Sequence, residues 1–308
     1  MRRYAVLVVM LFTAMVAASG HAVDQTLART KSGDMPTICQ TFAADAQTSS
    51  PPIDSTLADG LPPGLALDVL ADRATTHWPE FARGLVLTIR QLSLKPDAVS
   101  AMRRTEGPLL FYVASGTAGV SVNGQTETYA AGGAVLVETG QNYLLRNDAP
   151  DPAILLRLAL APPDEETTVS NKGGVAQVLP GDLEVAADAG AIESLMLATA
   201  DIPTLDGAAH LFIGCLSWTD PHVEPGVGSY PGPVGLWVLD GRLLVGDAQT
   251  LERNETTVFQ SEAPRRLRAG DPPPVVLMFG VIPQGEPLWT AAQSTRIIPP
   301  VPAGPPWL

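Results

Sequence analysis

The sequence predicts an all-β protein built as two tandem barrels behind an N-terminal signal peptide, and three observations carry that expectation. The chain holds 28 Gly and 29 Pro in 308 residues, a density that disfavours long helices and suits short strands joined by turns. Short apolar runs follow one another closely with turn residues between them. The pattern of the first half then returns in the second. Gly107–Gly116 is echoed by Gly232–Gly241, whose closing glycine lies 125 positions further on (241 − 116). A period of that length fits a duplicated domain rather than a solenoid repeat.

Taken in order, Arg2 and Arg3 supply a short positive region, and an uncharged apolar run follows from Tyr4 to Ala18. Gly20 and Ala22 then offer the small residues of a cleavage site after Ala22. The alternative is an uncleaved anchor, but the apolar run of about 15 residues is short against the roughly 20 that a spanning helix needs. Export would permit a disulfide between the two cysteines, Cys39 and Cys215. The other reading leaves Cys215 as a small buried hydrophobe in Leu211–Leu216 and Cys39 free.

Val23–Gly60 is rich in Thr, Ser, Ala and Asp and reads as a leader of low order. Strands are expected at Leu65–Leu70, Leu85–Leu94, Leu109–Ala114, Gly119–Val122, Thr126–Tyr129, Ala134–Glu138, Asn142–Arg146 and Ile154–Leu160. Asn123-Gly124 tolerates positive φ at both central positions of a two-residue hairpin loop. Pro162–Gly174, with Asp164-Glu165-Glu166, is a polar linker. Beyond it Leu179–Val185 echoes Leu61–Leu67, Ala208–Trp218 answers the Leu85 strand, and Val275–Val281 closes the second unit. The organisation expected is therefore a signal peptide over 1–22, a leader over 23–60, a first barrel over 61–162 and a linker over 163–178. A second barrel over 179–283 and a proline-rich tail over 284–308 complete it.

The formal net charge of −13 becomes −15 once Arg2 and Arg3 are removed. That balance argues against nucleic acid and against an anionic membrane surface, both of which need a basic face, and serves solubility instead. No membrane association is expected after signal cleavage.

The turn glycines and strand order resemble the cupins, specifically a two-domain bicupin of double-stranded β-helix, jelly-roll-like barrels. In the family the first motif carries His-x-His and a Glu between glycines, and the second carries Pro-x-Gly, a His and an Asn. Here Gly132, Glu138, Gly140, Tyr143 and Asn147 fall on the second motif without gaps. Asp97, Arg103, Thr105, Leu109 and Gly116 fall on the first. In the second half His222, Gly228, Tyr230, Val234 and Gly241 follow the first motif, and Asn254, Gln260, Glu262, Arg265 and Ala269 the second.

The resemblance implies a metal held by three His and one Glu, and the residues present do not supply it. Such ions take imidazole, carboxylate or thiolate donors. Arg103 has no lone pair to give, Leu109 and Val234 are apolar, and Thr105, Tyr143 and Tyr230 are poor replacements. No cofactor is therefore expected. By the same resemblance Arg103, Thr105, Tyr143, Tyr230 and Arg265 face the cavities. Arginine there could grip a carboxylate, phosphate or acidic sugar, unless the loops shift and these side chains reach solvent, pairing with Glu106 or Glu262. Of the remaining histidines, His77 beside Trp78 and His210 ahead of an apolar strand read as packing residues. His222 and Glu224 are a two-ligand candidate or a solvated loop between prolines.

No Gly-x-Ser-x-Gly elbow or phosphate-cradling loop occurs, and Cys215 within an apolar strand is unsuited to thiol catalysis. The leading expectation is a secreted, non-catalytic bicupin that binds a small molecule or protein or serves a structural role. Its rival is a metal-dependent dioxygenase, isomerase or decarboxylase that holds a divalent transition metal through His222 and Glu224. The resemblance also implies a homodimer, unless the duplicated barrels satisfy each other within one chain.

Overall fold

The computed structural model describes Cys39, Leu57 and residues 60–75, 85–162, 191–202, 207–260 and 264–292. All of them belong to the compact unit Pro36–Leu308. The signal-like stretch, His77, the Asp164-Glu165-Glu166 linker, Leu179–Val185 and Glu262 lie outside the described residues. Among the described residues no helix is long and apolar enough to cross a membrane.

The described residues are almost wholly β. The first nine strands are β1 (Leu65–Thr75), β2 (Leu85–Leu94), β3 (Arg103–Arg104), β4 (Leu109–Ser115), β5 (Thr117–Val122), β6 (Gln125–Ala130), β7 (Ala134–Val137), β8 (Asn142–Arg146) and β9 (Ala153–Ala161). Then come β10 (Ile192–Ile202), β11 (Ala209–Trp218), β12 (Gly228–Ser229), β13 (Val234–Asp240), β14 (Leu243–Val245), β15 (Gln249–Leu251), β16 (Thr256–Phe259), β17 (Leu267–Ala269), β18 (Val275–Pro283) and β19 (Thr290–Ala291).

Two five-stranded antiparallel sheets form the centre, ordered β10-β2-β9-β4-β7 and β1-β11-β18-β13-β16. The two orders correspond strand for strand, as the repeat in the sequence requires. Each sheet packs one face on smaller sheets: β3-β8-β5-β6 in the first half, β15-β14-β17 and β12-β19 in the second. Leu92, Phe111 and Leu155 meet Val120, Tyr143 and Leu145 in the first core. Phe212, Leu236 and Met278 meet Leu243, Val245 and Leu267 in the second. Alternation sends Leu110, Leu156, Leu158, Ile213 and Leu277 to the opposite faces, and these too are buried. Both faces of each large sheet are thus apolar, which explains why the central strands read as near-continuous hydrophobic runs.

The edge strands are exchanged. The sequence places Leu65–Leu70 at the start of the first barrel, but β1 pairs with β11 and lies in the second half's sheet, from Leu65↔Trp218 to Thr75↔Ala209. The first half takes its equivalent strand from downstream, because β10 pairs with β2 from Ile192↔Leu94 to Ile202↔Leu85. Both strands carry a bulge at the same place, around Leu70 and Leu197. The bulge turns the Leu197 carbonyl toward β16, where the Thr256 hydroxyl donates to it at 3.2 Å. The counterpart of Leu65 is therefore Ile192. The echo of Leu61–Leu67 in Leu179–Val185 was a match of turn residues, whereas β10 has few turn signals of its own.

The start of the proline-rich tail is also part of the fold. Leu288 and Trp289 are buried in the second core, and β19 pairs with β12, because an indole and an isobutyl side chain outweigh the surrounding prolines and glycine. Leu57 of the leader joins the same core. Cys39 is disulfide-bonded to Cys215, with Cα atoms 5.7 Å apart, on the face of β11 turned away from the second core.

Two corners show why glycine recurs. Gly116 and Gly241 adopt φ of 74° and 73°, and a Cβ on either would meet the carbonyl oxygen of Pro152 or Pro273. Asn123 and Gly124, at φ of 50° and 84°, close the β5–β6 hairpin as the sequence predicts.

Candidate functional site

The site is best built from β3 and β8, where the motif positions meet. Arg103 and Tyr143 are direct partners, so their side chains share a face. Tyr143 is buried in the first core with its ring 5.5 Å from that of Phe111, and Leu109 lies in the same core. Arg103 is half-buried at the sheet edge. Thr105 is buried, and its hydroxyl is committed to its own turn, donating to the Gly107 carbonyl and accepting from the Gly107 amide. Thr105 thus clamps its own turn. Asn147 is a second clamp: fully buried, its Nδ2 lies 3.2 Å from the Leu94 and Lys95 carbonyls and 2.9 Å from that of Asp151.

The second half repeats the pairing with the residue types exchanged. Gly228 and Arg265 form the bridge equivalent to Arg103 and Tyr143, through backbone bonds in both directions. Gly228 admits the Trp289 indole, with which a Cβ would collide. Trp289 stands edge-on to Tyr230 at 5.2 Å, Tyr230 stacks on Phe259 at 5.8 Å, and the Arg265 guanidinium lies 5.5 Å above Phe259. A ring stack thus supports the cation from behind. Burial pushes the Tyr230 phenol well above its ordinary range, so it stays neutral.

Arg265 lines a cavity of about 240 Å³ together with Arg266, Gln249, Thr257, Phe259 and the Gly246 backbone. Two arginines and two polar residues are among the described residues that line it. The arrangement suits a small polar anion. The structure therefore brings Tyr230 and Arg265 together through Phe259 and sets Arg103 beside Tyr143, with Tyr230 and Tyr143 serving as core supports.

The metal reading meets less favourable geometry. His222 and Glu224 are exposed in a turn, not on a strand. The His222 amide donates to Asp220 at 2.9 Å, and Glu224 lies 3.9 Å from Arg268. Among the described residues no three His, Cys, Asp or Glu side chains cluster as a metal site would need. Nothing in the residues at the motif positions fits a transition metal: Arg103, Thr105, Leu109 and Tyr143 in one half, Gly228, Tyr230, Val234 and Arg265 in the other. His210 is bonded through Nδ1 to Asp72 at 2.8 Å, across the exchanged strand β1.

Two further arginines lie outside the motif positions. Arg90 and Arg157 sit side by side on β2 and β9, facing the first half's interior. Each is the lone arginine of its strand, Leu85–Leu94 and Ala153–Ala161, at a position that alternation turns inward.

Residues 91–159 match the family model described as Cupin domain. No curated protein matches the chain. Among solved structures the chain is similar to oxalate decarboxylase from Lactobacillus farciminis in its formate complex, with 13% identity over 71% of this chain and 83% of that one at a TM-score of 0.43. It is similar to YhaK from Escherichia coli with 16% identity over 69% of this chain and 94% of that one at a TM-score of 0.40. A salicylate 1,2-dioxygenase variant from Pseudoaminobacter salicylatoxidans shares 14% identity over 64% of this chain and 70% of that one at a TM-score of 0.39. Likeness at this level says nothing of activity.

Proposed function

Since the chain belongs to the cupin superfamily through residues 91–159, we propose that it is an exported, non-catalytic bicupin that binds a small polar anion in its second half. The observation that carries the reading is the wall of the cavity beside Phe259. Arg265, at the position where the resemblance places a metal-binding His, lines it with Arg266, and no acid is among the described residues that line it. A guanidinium cannot ligate a cation, but it binds carboxylate or phosphate through paired N–H donors. The corresponding strand orders of the two large sheets support the bicupin arrangement. The Arg2–Ala22 stretch and the Cys39–Cys215 bond support export.

Calorimetric titration of the purified protein with inorganic phosphate and with glucuronate tests the reading. At least one of the two should bind, and Arg265→Ala should weaken it about tenfold, the loss of one charge-assisted bond. Absence of binding by either probe, or binding that ignores Arg265→Ala, sinks it.

A further inference from the structure

Beyond β18 the chain returns to the second half as a strap. It leaves β18 through a turn in which the Glu286 amide donates to the Pro283 carbonyl at 3.2 Å and Gly285 takes a φ of 85°. Residues 284–287 are exposed, Leu288 and Trp289 are buried, and residues 290–292 are exposed again. The far end is held by two ladder positions, Gly228↔Ala291 and Ser229↔Thr290, and by the Ala292 amide donating to the Val227 carbonyl at 2.8 Å. A short element exposed on both sides of one buried pair is the kind that opens locally while the rest of a fold stays closed.

The residue that the strap inserts bears on Arg265 by two routes. The Trp289 indole occupies the place where Gly228 lacks a side chain, and a Cβ there would collide with the ring. Gly228 in turn exchanges two backbone hydrogen bonds with Arg265, at 3.0 and 2.6 Å. The second route runs through rings. Trp289 stands edge-on to Tyr230, Tyr230 stacks on Phe259, and Phe259 lines the cavity and carries the Arg265 guanidinium. The backbone and the side chain of Arg265 thus both rest on groups that Trp289 packs against or reaches through one ring.

The first half makes the equivalent bridge without a strap. There Arg103 takes the place of Gly228 and Tyr143 that of Arg265. Among the described residues β3 is the edge of its sheet, with no strand on its other side. A strap at this point is therefore not a requirement of the fold.

We infer that residues 284–292 are a latch on the anion cavity. With Trp289 docked, Arg265 is held for the anion, and the bound anion in turn holds the latch closed. Trp289 is a positioning residue that acts on the ligand through Gly228, Tyr230 and Phe259. The inference rests on the anion reading of the Arg265 cavity. Coupling between two binding events is reciprocal, so docking tightens the anion by the same factor by which the anion favours docking.

The test is hydrogen-exchange mass spectrometry of the full-length protein with and without saturating phosphate or glucuronate, whichever binds by calorimetry. Exchange across residues 284–292 should slow about fivefold or more, while peptides over β5 and β6 in the other half keep their rates. Trp289→Ala should weaken the anion by a similar factor, and Trp289→Phe, which returns a ring to the niche at Gly228, should recover most of the loss. Binding that leaves exchange in residues 284–292 unchanged, or slows β5 and β6 equally, overturns the latch and leaves the cavity reading standing. So does a folded Trp289→Ala protein that binds as the wild type does; should that variant not fold, the exchange rates of the wild type decide. If neither anion binds, the cavity reading falls and the latch falls with it.

Discussion

Leu65 pairs with Trp218, so the strand that opens the first half of the sequence forms the edge of the second half's sheet. Ile192 pairs with Leu94 in the reciprocal exchange. Each large sheet is thus completed by a strand from the other half. Arg73 and Thr75 tie β1 to β7 as well, donating to the Ala134 carbonyl at 3.2 Å and to Glu138 Oε2 at 2.7 Å. The two halves should therefore unfold together. Hydrogen-exchange mass spectrometry along a urea series should show peptides covering β4 and β13 losing protection at one midpoint. Two well-separated midpoints would contradict the exchange.

The Asn147 Nδ2 lies within hydrogen-bonding distance of three carbonyls around one turn, of which that of Lys95 also accepts from the Ala98 amide. Asn147→Ala should cost about 3 kcal/mol, and Asn147→Asp should also destabilise because it retains no donor. Both effects are read from denaturant midpoints. A neutral outcome for both variants would show that the side chain does not hold the turn.

Alkaline pH offers a third check. The Tyr129 phenol is pushed up to about 12, by burial first and then by Glu127, to which its hydroxyl donates at 2.6 Å. Burial raises Tyr112 and Tyr230 further still. In the unfolded chain a tyrosine ionises near 10. The stabilising preference for the neutral phenol is thus intact below that pH and is lost as pH rises through about 12. Absorbance at the phenolate band should rise together with loss of the far-ultraviolet dichroism. Complete titration near pH 10 with the fold intact would refute the burial of these rings.

The Cys39–Cys215 bond closes a loop with a sequence separation of 176. In the chain-entropy account, replacing both cysteines by serine should lower stability by up to about 5 kcal/mol. Denaturant midpoints of oxidised wild type and double variant provide the comparison, and coincident curves would contradict a stabilising role for the bond.

The sequence exposed the all-β class because turn glycines and close strand spacing are local signals. Gly107 and Gly232 are in place because a Cβ on either would collide with the carbonyl oxygen of Leu160 or Val281. Asn123-Gly124 specified its hairpin for similar reasons. The exchange of β1 and β10 was not legible, because Leu65–Thr75 alternates equally well for either sheet and only the three-dimensional pairing decides. Trp289 was hidden by its proline-rich surroundings. At the site, motif spacing placed Arg103 and Tyr143 together but could not show that the Thr105 hydroxyl serves its own turn. Arg90 and Arg157 lie outside the motif positions, in mid-strand, and meet only through sheet register.

We propose that the interior motif positions hold no transition metal and that arginine serves there instead. The most direct measurement is the transition-metal content of the purified protein by elemental mass spectrometry, after expression with iron, manganese and zinc supplied. The account predicts far less than one ion per chain and no change on His222→Ala. A stoichiometric ion that survives dialysis, and that His222→Ala removes, would contradict it.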